Sequence, residues 1–181
     1  MSTTIVSPVV PRETDVHPEP VILTEQGQAW LRARMSEHID ELAAVATRLS
    51  EHVEAVARAG DDAAQQPDPP HIAADRERYV ELLQQLGELT SALREAVSVA
   101  DVAEDPSIVE LGDEVEVELP DGSLRACCIV HPLEAPMAAE RISVASPLAR
   151  AVLGRRPGER TTVAEPAGVY GVRIVSRRRL R

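Results

Sequence analysis

Phenylalanine and lysine are both missing from this 181-residue chain, and aromatic side chains make up only 2% of it. Without Phe, any core has to be built from Leu, Val, Ile and Ala, which bury less area per residue than aromatics do. An extended element plus a small compact domain suits that supply better than one large globule. The absence of Lys leaves Arg as the only strong base, which we read as the coding bias of a GC-rich genome. Cysteine is nearly absent too. Cys127 and Cys128 are the only two, and neighbours in a strand point to opposite faces, so they do not bridge each other easily. Two cysteines without histidines at ligand spacing also make no zinc site. No apolar run approaches membrane-spanning length, and residues 1–20 lack the basic-then-apolar order of a signal peptide. The expectation is a soluble, cytoplasmic chain with no membrane contact.

What is present is acid, unevenly placed. The net charge is -11. Residues 1–105 hold 8 Arg against 20 acids, whereas residues 106–181 hold 11 Arg against 10 acids. An acidic first half repels nucleic-acid phosphates, which disfavours groove binding. It suits entry into a basic cavity on a partner, or attraction of cations. An acidic face that merely keeps a helix soluble explains the same charge.

The chain divides by periodicity. Residues 1–20, with Pro8, Pro11, Pro18 and Pro20, read as a disordered leader. Thr24 is a good N-cap for a first helix, but Gly27 stands where the Glu or Gln of a capping box belongs. Leu31, Met35, His38, Leu42, Val45, Leu49, His52 and Val56 then recur at spacings of four and three, a heptad seam over Thr24–Ala59 about 50 Å long at about 1.5 Å per residue. His38 and His52 are about 21 Å apart on such a helix, too far to share an ion, so they read as seam residues. A second stripe, Tyr79, Leu82, Leu86, Leu89, Leu93 and Ala96 or Val97, lies on a helix over Ile72–Val97. The two seams predict an antiparallel coiled-coil hairpin over residues 21–100, with its tip at 60–71. That tip holds Asp61, Asp62 and Asp68 among Pro67, Pro69 and Pro70.

After Pro106 the period changes to two. Val115, Val117 and Leu119 alternate with Glu114, Glu116 and Glu118, a half-buried strand. A turn at Pro120–Ser123 returns the chain as a strand over Leu124–Val130. Further strands read at Arg141–Ala145, Thr161–Ala164 and Val169–Val175. Ser146-Pro147 opens a short helix that Gly154 stops. The fold class is therefore α+β: a helical hairpin, then a small antiparallel β-domain with one short helix over 106–176. Residues 177–181 read as a solvated basic tail.

Three stretches carry a family resemblance. Val21-Ile22-Leu23-Thr24-Glu25-Gln26-Gly27 followed by Leu31 is similar to the opening of the bacterial Gre transcript-cleavage factors. Ile142-Ser143-Val144-Ala145-Ser146-Pro147-Leu148-Ala149-Arg150-Ala151-Val152-Leu153-Gly154, with Pro157-Gly158-Glu159, resembles that family's most diagnostic segment. Pro166-Ala167-Gly168 through Ile174-Val175 resembles its closing strand. The resemblance covers about residues 21–176. It implies an FK506-binding-protein-like C-terminal domain without isomerase activity, docked at the rim of the secondary channel of RNA polymerase, with the coiled coil reaching inside. Ser146, Pro147 and Arg150 become the candidates for polymerase contact, although Ser-Pro is equally a simple helix start. In that family two acids of an Asp-Leu-Ser-Glu-Asn tip help to hold a catalytic Mg²⁺ that belongs to the polymerase, which itself cuts backtracked RNA. The chain is therefore expected to be no enzyme of its own, to act as a monomer, to touch nascent RNA only indirectly, and to need no cofactor beyond that shared Mg²⁺.

The tip departs from the pattern. Asp61 matches the motif's Asp, but Leu-Ser-Glu-Asn is replaced by Asp62, Ala63, Ala64 and Gln65, and a proline-rich extension follows. For the Glu, only Asp62 and Asp68 remain, each one methylene shorter. A placement error of about 1 Å costs on the order of a hundredfold in such positioning. The reading is a divergent, Gre-like regulator of initiation or elongation that does not stimulate transcript cleavage. Two alternatives stay open: a cleavage factor that uses the tip aspartates, and an interaction protein like the nucleoside-diphosphate-kinase regulators, which carry shorter hairpins. A solvated polar turn also accounts for the three aspartates.

Overall fold

A computed structural model describes residues 21–60 and 67–180. The leader 1–20, Asp61, Asp62 and Arg181 lie outside the described residues. The described chain starts with strand β1 (Val21–Leu23) and helix α1 (Glu25–Ala59), followed by α2 (Pro70–Glu95) and β2 (Ala96–Ser98). The sheet strands are β3 (Asp113–Glu118), β4 (Leu124–Val130), β5 (Arg141–Ser143), β6 (Arg160–Glu165) and β7 (Gly168–Arg179), with α3 (Pro147–Val152) between β5 and β6.

The heptad seam is the contact between α1 and α2. Leu31 and Val45 of α1 and Ile72, Leu82 and Leu89 of α2 are buried, and the remaining α1 seam residues are half-buried. One position off the seam, Ile39 and Val53 are 50% and 60% exposed. That contrast is what knobs-into-holes packing leaves on a two-helix arm. Bidentate ion pairs cross the flank: Arg48 donates to both carboxylate oxygens of Asp75 (2.8 and 2.6 Å), and Arg78 to both of Glu41 (2.7 and 2.8 Å). Gly60 ends α1 at φ 91°, a conformation that costs glycine little.

Two expectations need correction here. Helix α2 ends at Glu95, and Val97 belongs to β2, which pairs in parallel with β1 so that Val21 faces Ala96 and Leu23 faces Ser98. Three-residue strands are too short for a period of two to be distinguished from a helix end. The basic run Arg177–Arg179 is the end of β7 and no solvated tail. It pairs with β3, with Asp113 opposite Arg179 and Val115 opposite Arg177, because buried Asp113 draws Arg177 and Arg179 inward while Arg178 stays exposed beside Glu114.

The five-stranded sheet has the order β5-β4-β3-β7-β6. Every pairing is antiparallel except β4 with β5, which is parallel, so the sheet is mixed where the sequence reading expects an antiparallel one. A parallel pair needs a crossover, and here segment 131–140 makes it. One face of the sheet packs on α3: Val115, Val117, Ile129, Val163, Val172 and Ile174 enclose Leu148, Ala149 and Val152. The core is aliphatic, as a chain without Phe requires. No described helix is long and apolar enough to cross a membrane.

Candidate functional site

At the free end of the hairpin, Asp68 stands two positions before the start of α2. Its carboxylate takes an ion pair from Arg76 at 2.7 Å and lies 3.3 Å from Nε2 of His52. Asp68 thus ties the start of α2 back to α1. Pro69 and Pro70 set the helix start, Pro70 standing at the first helical position, where a missing N–H costs nothing. His52 is the partly buried seam histidine expected, with an acceptor beside it. Next along the flank, Asp75 and Glu41 are held below their ordinary carboxyl values by hydrogen bonds from Arg48 and Arg78 respectively. Among the described residues no group of three or more His, Cys, Asp or Glu is arranged to hold a metal. With Asp68 committed to Arg76 and His52, the described part of the tip does not fit a Mg²⁺ ion. Asp61 and Asp62 lie outside it.

At the base of the hairpin the sequence reading missed the acid that holds the arm. Thr24 caps α1 by accepting the Gly27 N–H at 2.9 Å. In a capping box, the residue at Gly27's position would return a carboxylate to the Thr24 N–H. Here Glu134, from the β4–β5 crossover, supplies it: Oε1 accepts the Thr24 N–H at 2.8 Å, and Oε2 accepts the Thr24 hydroxyl at 2.5 Å. Arg141 of β5 completes the cluster, donating to Glu134 at 2.8 Å and to the Gln26 side chain at 2.8 Å. The Glu134 and Arg141 side chains are 1% and 7% exposed. Gly27 is required by this arrangement, since a Cβ there would stand 2.1 Å from the Glu134 carboxyl carbon. The signal in the sequence was that very gap, a capping box lacking its acid, but nothing local said which residue far along the chain would fill it.

The polymerase-contact candidates sit on the C-terminal domain. Ser146 caps α3 by accepting the Ala149 N–H at 3.3 Å, Pro147 is its first residue, and Arg150 is exposed. Ser146 and Pro147 thus have a structural duty, while the Arg150 side chain is presented to solvent. They are not near the hairpin tip, so the structure does not bring the two sets of candidates together. Burial pushes the Cys127 thiol up to about 11 and raises that of Cys128, so neither is a thiolate near neutral pH.

Residues 104–178 match the family described as "Transcription elongation factor, GreA/GreB, C-term". Over 105 residues the chain is 39% identical to a transcription elongation factor GreA from Geobacillus kaustophilus, a match covering 58% of this chain and 65% of the relative. It is 37% identical, over the same shares, to one from Bacillus cytotoxicus. The chain thus spans just under two thirds of the length of the curated relatives it matches. Among solved structures, GreA factor homolog 1 of Thermus thermophilus is 25% identical, with 88% of this chain and 99% of that one covered and a TM-score of 0.38.

Proposed function

We propose, from the premise that this chain is a Gre-like factor, that it binds RNA polymerase through its C-terminal domain and holds the hairpin in the secondary channel to regulate transcription. The observation that carries this reading is the base of the hairpin. A buried Glu134–Arg141 pair caps α1 from another domain, so the arm is aimed by the domain that does the docking. An arm meant only as a tether would need no such fixed angle. The charge agrees, because an acidic hairpin suits a cavity lined for incoming nucleotides and is repelled by free nucleic acid.

In this reading the factor acts as a monomer and modulates or blocks, and it does not stimulate RNA cleavage. Support comes from the tip: Asp68 is spent on an ion pair with Arg76, and the family's glutamate has only the shorter Asp62 or Asp68 to stand for it. Any RNA cleavage in its presence would be the polymerase's own chemistry. Co-purification with core RNA polymerase at micromolar concentration is expected, and no binding would sink the proposal. Stalled, backtracked complexes incubated with the protein and Mg²⁺ are expected to yield no shortened RNA; its appearance would restore the cleavage-factor reading. In an in vitro transcription assay, an Asp61→Ala, Asp62→Ala double variant reads whether the tip carboxylates are the working part.

A further inference from the structure

The sheet face turned away from α3 carries a row of side chains that neither the hairpin nor α3 uses. Glu118 on β3 lies directly opposite Leu124 on β4 and Arg173 on β7, and Arg173 lies directly opposite Arg160 on β6. Directly opposed residues share a face. Leu124, Glu118, Arg173 and Arg160 therefore form one line across four strands, about 14 Å long at about 4.8 Å per strand. The adjacent Val117 and Val172 point into the core, which turns this line outward.

Three features make the row unlike an ordinary solvated surface. Arg173 and Arg160 are like charges directly opposed, an arrangement that destabilises a sheet unless a counter-charge lies between them. Arg173 donates its Nε to Glu118 at 2.7 Å, and among the described residues Arg160 has no ion pair. Glu118 and both arginines line a cleft of about 370 Å³ that also reaches Pro120, Thr161 and Gly171. At the far end of the line, Leu124 is 60% exposed, an apolar side chain on an otherwise charged row.

The geometry points to this row as a docking surface for a protein segment that offers one carboxylate to the Arg160–Arg173 pair and one apolar side chain to Leu124. Two guanidinium groups against one carboxylate leave a single positive charge, which one Asp or Glu balances in the forked geometry that arginine favours. A polyanion fits poorly, because Glu116 shares this face of β3, where Arg178 is already balanced by Glu114, and the chain as a whole carries -11. The identity of the partner as RNA polymerase rests on the function proposed above; the recognition of a carboxylate does not.

Two measurements on the full chain separate these levels. Arginine Nε–H resonances are followed by NMR while N-acetylglutamic acid amide, its glutamine counterpart or inorganic phosphate is added. The Arg160 and Arg173 signals are expected to move with the acid alone, and Arg160→Gln to abolish the response of Arg173. An equal response to phosphate, or none to the acid, overturns the carboxylate site. Binding to core RNA polymerase is then compared for wild type, Arg160→Glu and Leu124→Ser, both changes at exposed positions outside the core. Each is expected to weaken binding about tenfold, the size of a moderate hot spot. Wild-type binding that neither variant weakens overturns the row as the polymerase surface. Failure of the wild type itself to bind would refute the polymerase reading, with the NMR result still deciding the site.

Discussion

Gly27 shows how one residue type can be fixed by a contact more than a hundred positions away. In the first turn of a helix, alanine is ordinarily the better residue by about 1 kcal/mol. Here the sign reverses, because the new Cβ would meet the Glu134 carboxyl group, itself held by Thr24 and Arg141. Gly27→Ala is expected to destabilise the protein by about 1–3 kcal/mol, the usual cost of overpacking. Denaturant unfolding followed by the fluorescence of Trp30, which packs beside this junction, measures it; a stabilised variant would contradict the trans-supplied cap. Acid tests a different pair of residues. Asp75 and Glu41 have folded values depressed by Arg48 and Arg78. Such groups contribute stability that is present above their ordinary values, 3.8 and 4.5, and lost as pH falls through the depressed ones. Carboxyl NMR titration of Arg78→Gln is expected to return Glu41 towards its ordinary value and leave Asp75 low. If Glu41 stays low in that variant, the assigned cause is wrong.

Among elements, those with long sequence periods were legible and those made by distant partners were not. The seams of α1 and α2 follow from spacing alone, since a stripe that recurs every three and four residues has only one face to bury. The β3–β4 hairpin follows from alternation and the Pro120–Ser123 turn, and α3 from Ser146-Pro147 and Gly154. The β1–β2 pair escaped because three residues carry no period. The end of β7 escaped because three arginines in a row look solvated until Asp113 is placed among them. Asp113 is fully buried, lies 3.0 Å from Arg177 and accepts the Glu110 N–H at 2.8 Å; Arg177 also pairs with Glu104. Removing that carboxylate leaves the buried Arg177 guanidinium with Glu104 as its one remaining acid and orphans the Glu110 N–H. Asp113→Ala is expected to cost about 3–5 kcal/mol, as for other broken buried pairs. A chain ending at Ser176 should likewise lose stability, whereas trimming a solvated tail would change nothing. Thermal unfolding of both variants decides between a strand and a tail. The candidate site was legible only in part: the tip's changed composition is plain in the residues, but the commitment of Asp68 to Arg76 and His52 depends on how the two helices meet.

For the whole molecule the question is whether the arm and the C-terminal domain move as one body. Their junction is small, and its polar centre is the Thr24–Glu134–Arg141 cluster, with Leu23, Leu31 and Leu89 packed near Leu133 alongside. Neither the α1–α2 seam nor the core around α3 depends on Glu134. Glu134→Ala should therefore leave both parts folded while loosening the angle between them. It orphans the Thr24 N–H and leaves Arg141, 9% exposed, without its acid, so the junction itself is strongly disfavoured. The helical circular dichroism signal is expected to persist, while small-angle scattering reports a larger and broader distribution of dimensions. Under the proposed function, the variant should still bind polymerase through its C-terminal domain yet lose most of its effect on transcription, because the tip is no longer aimed. Scattering identical to wild type would show that the hydrophobic contacts alone fix the arm. A variant with loosened dimensions but full transcriptional effect would show that the channel, and not the junction, orients the hairpin.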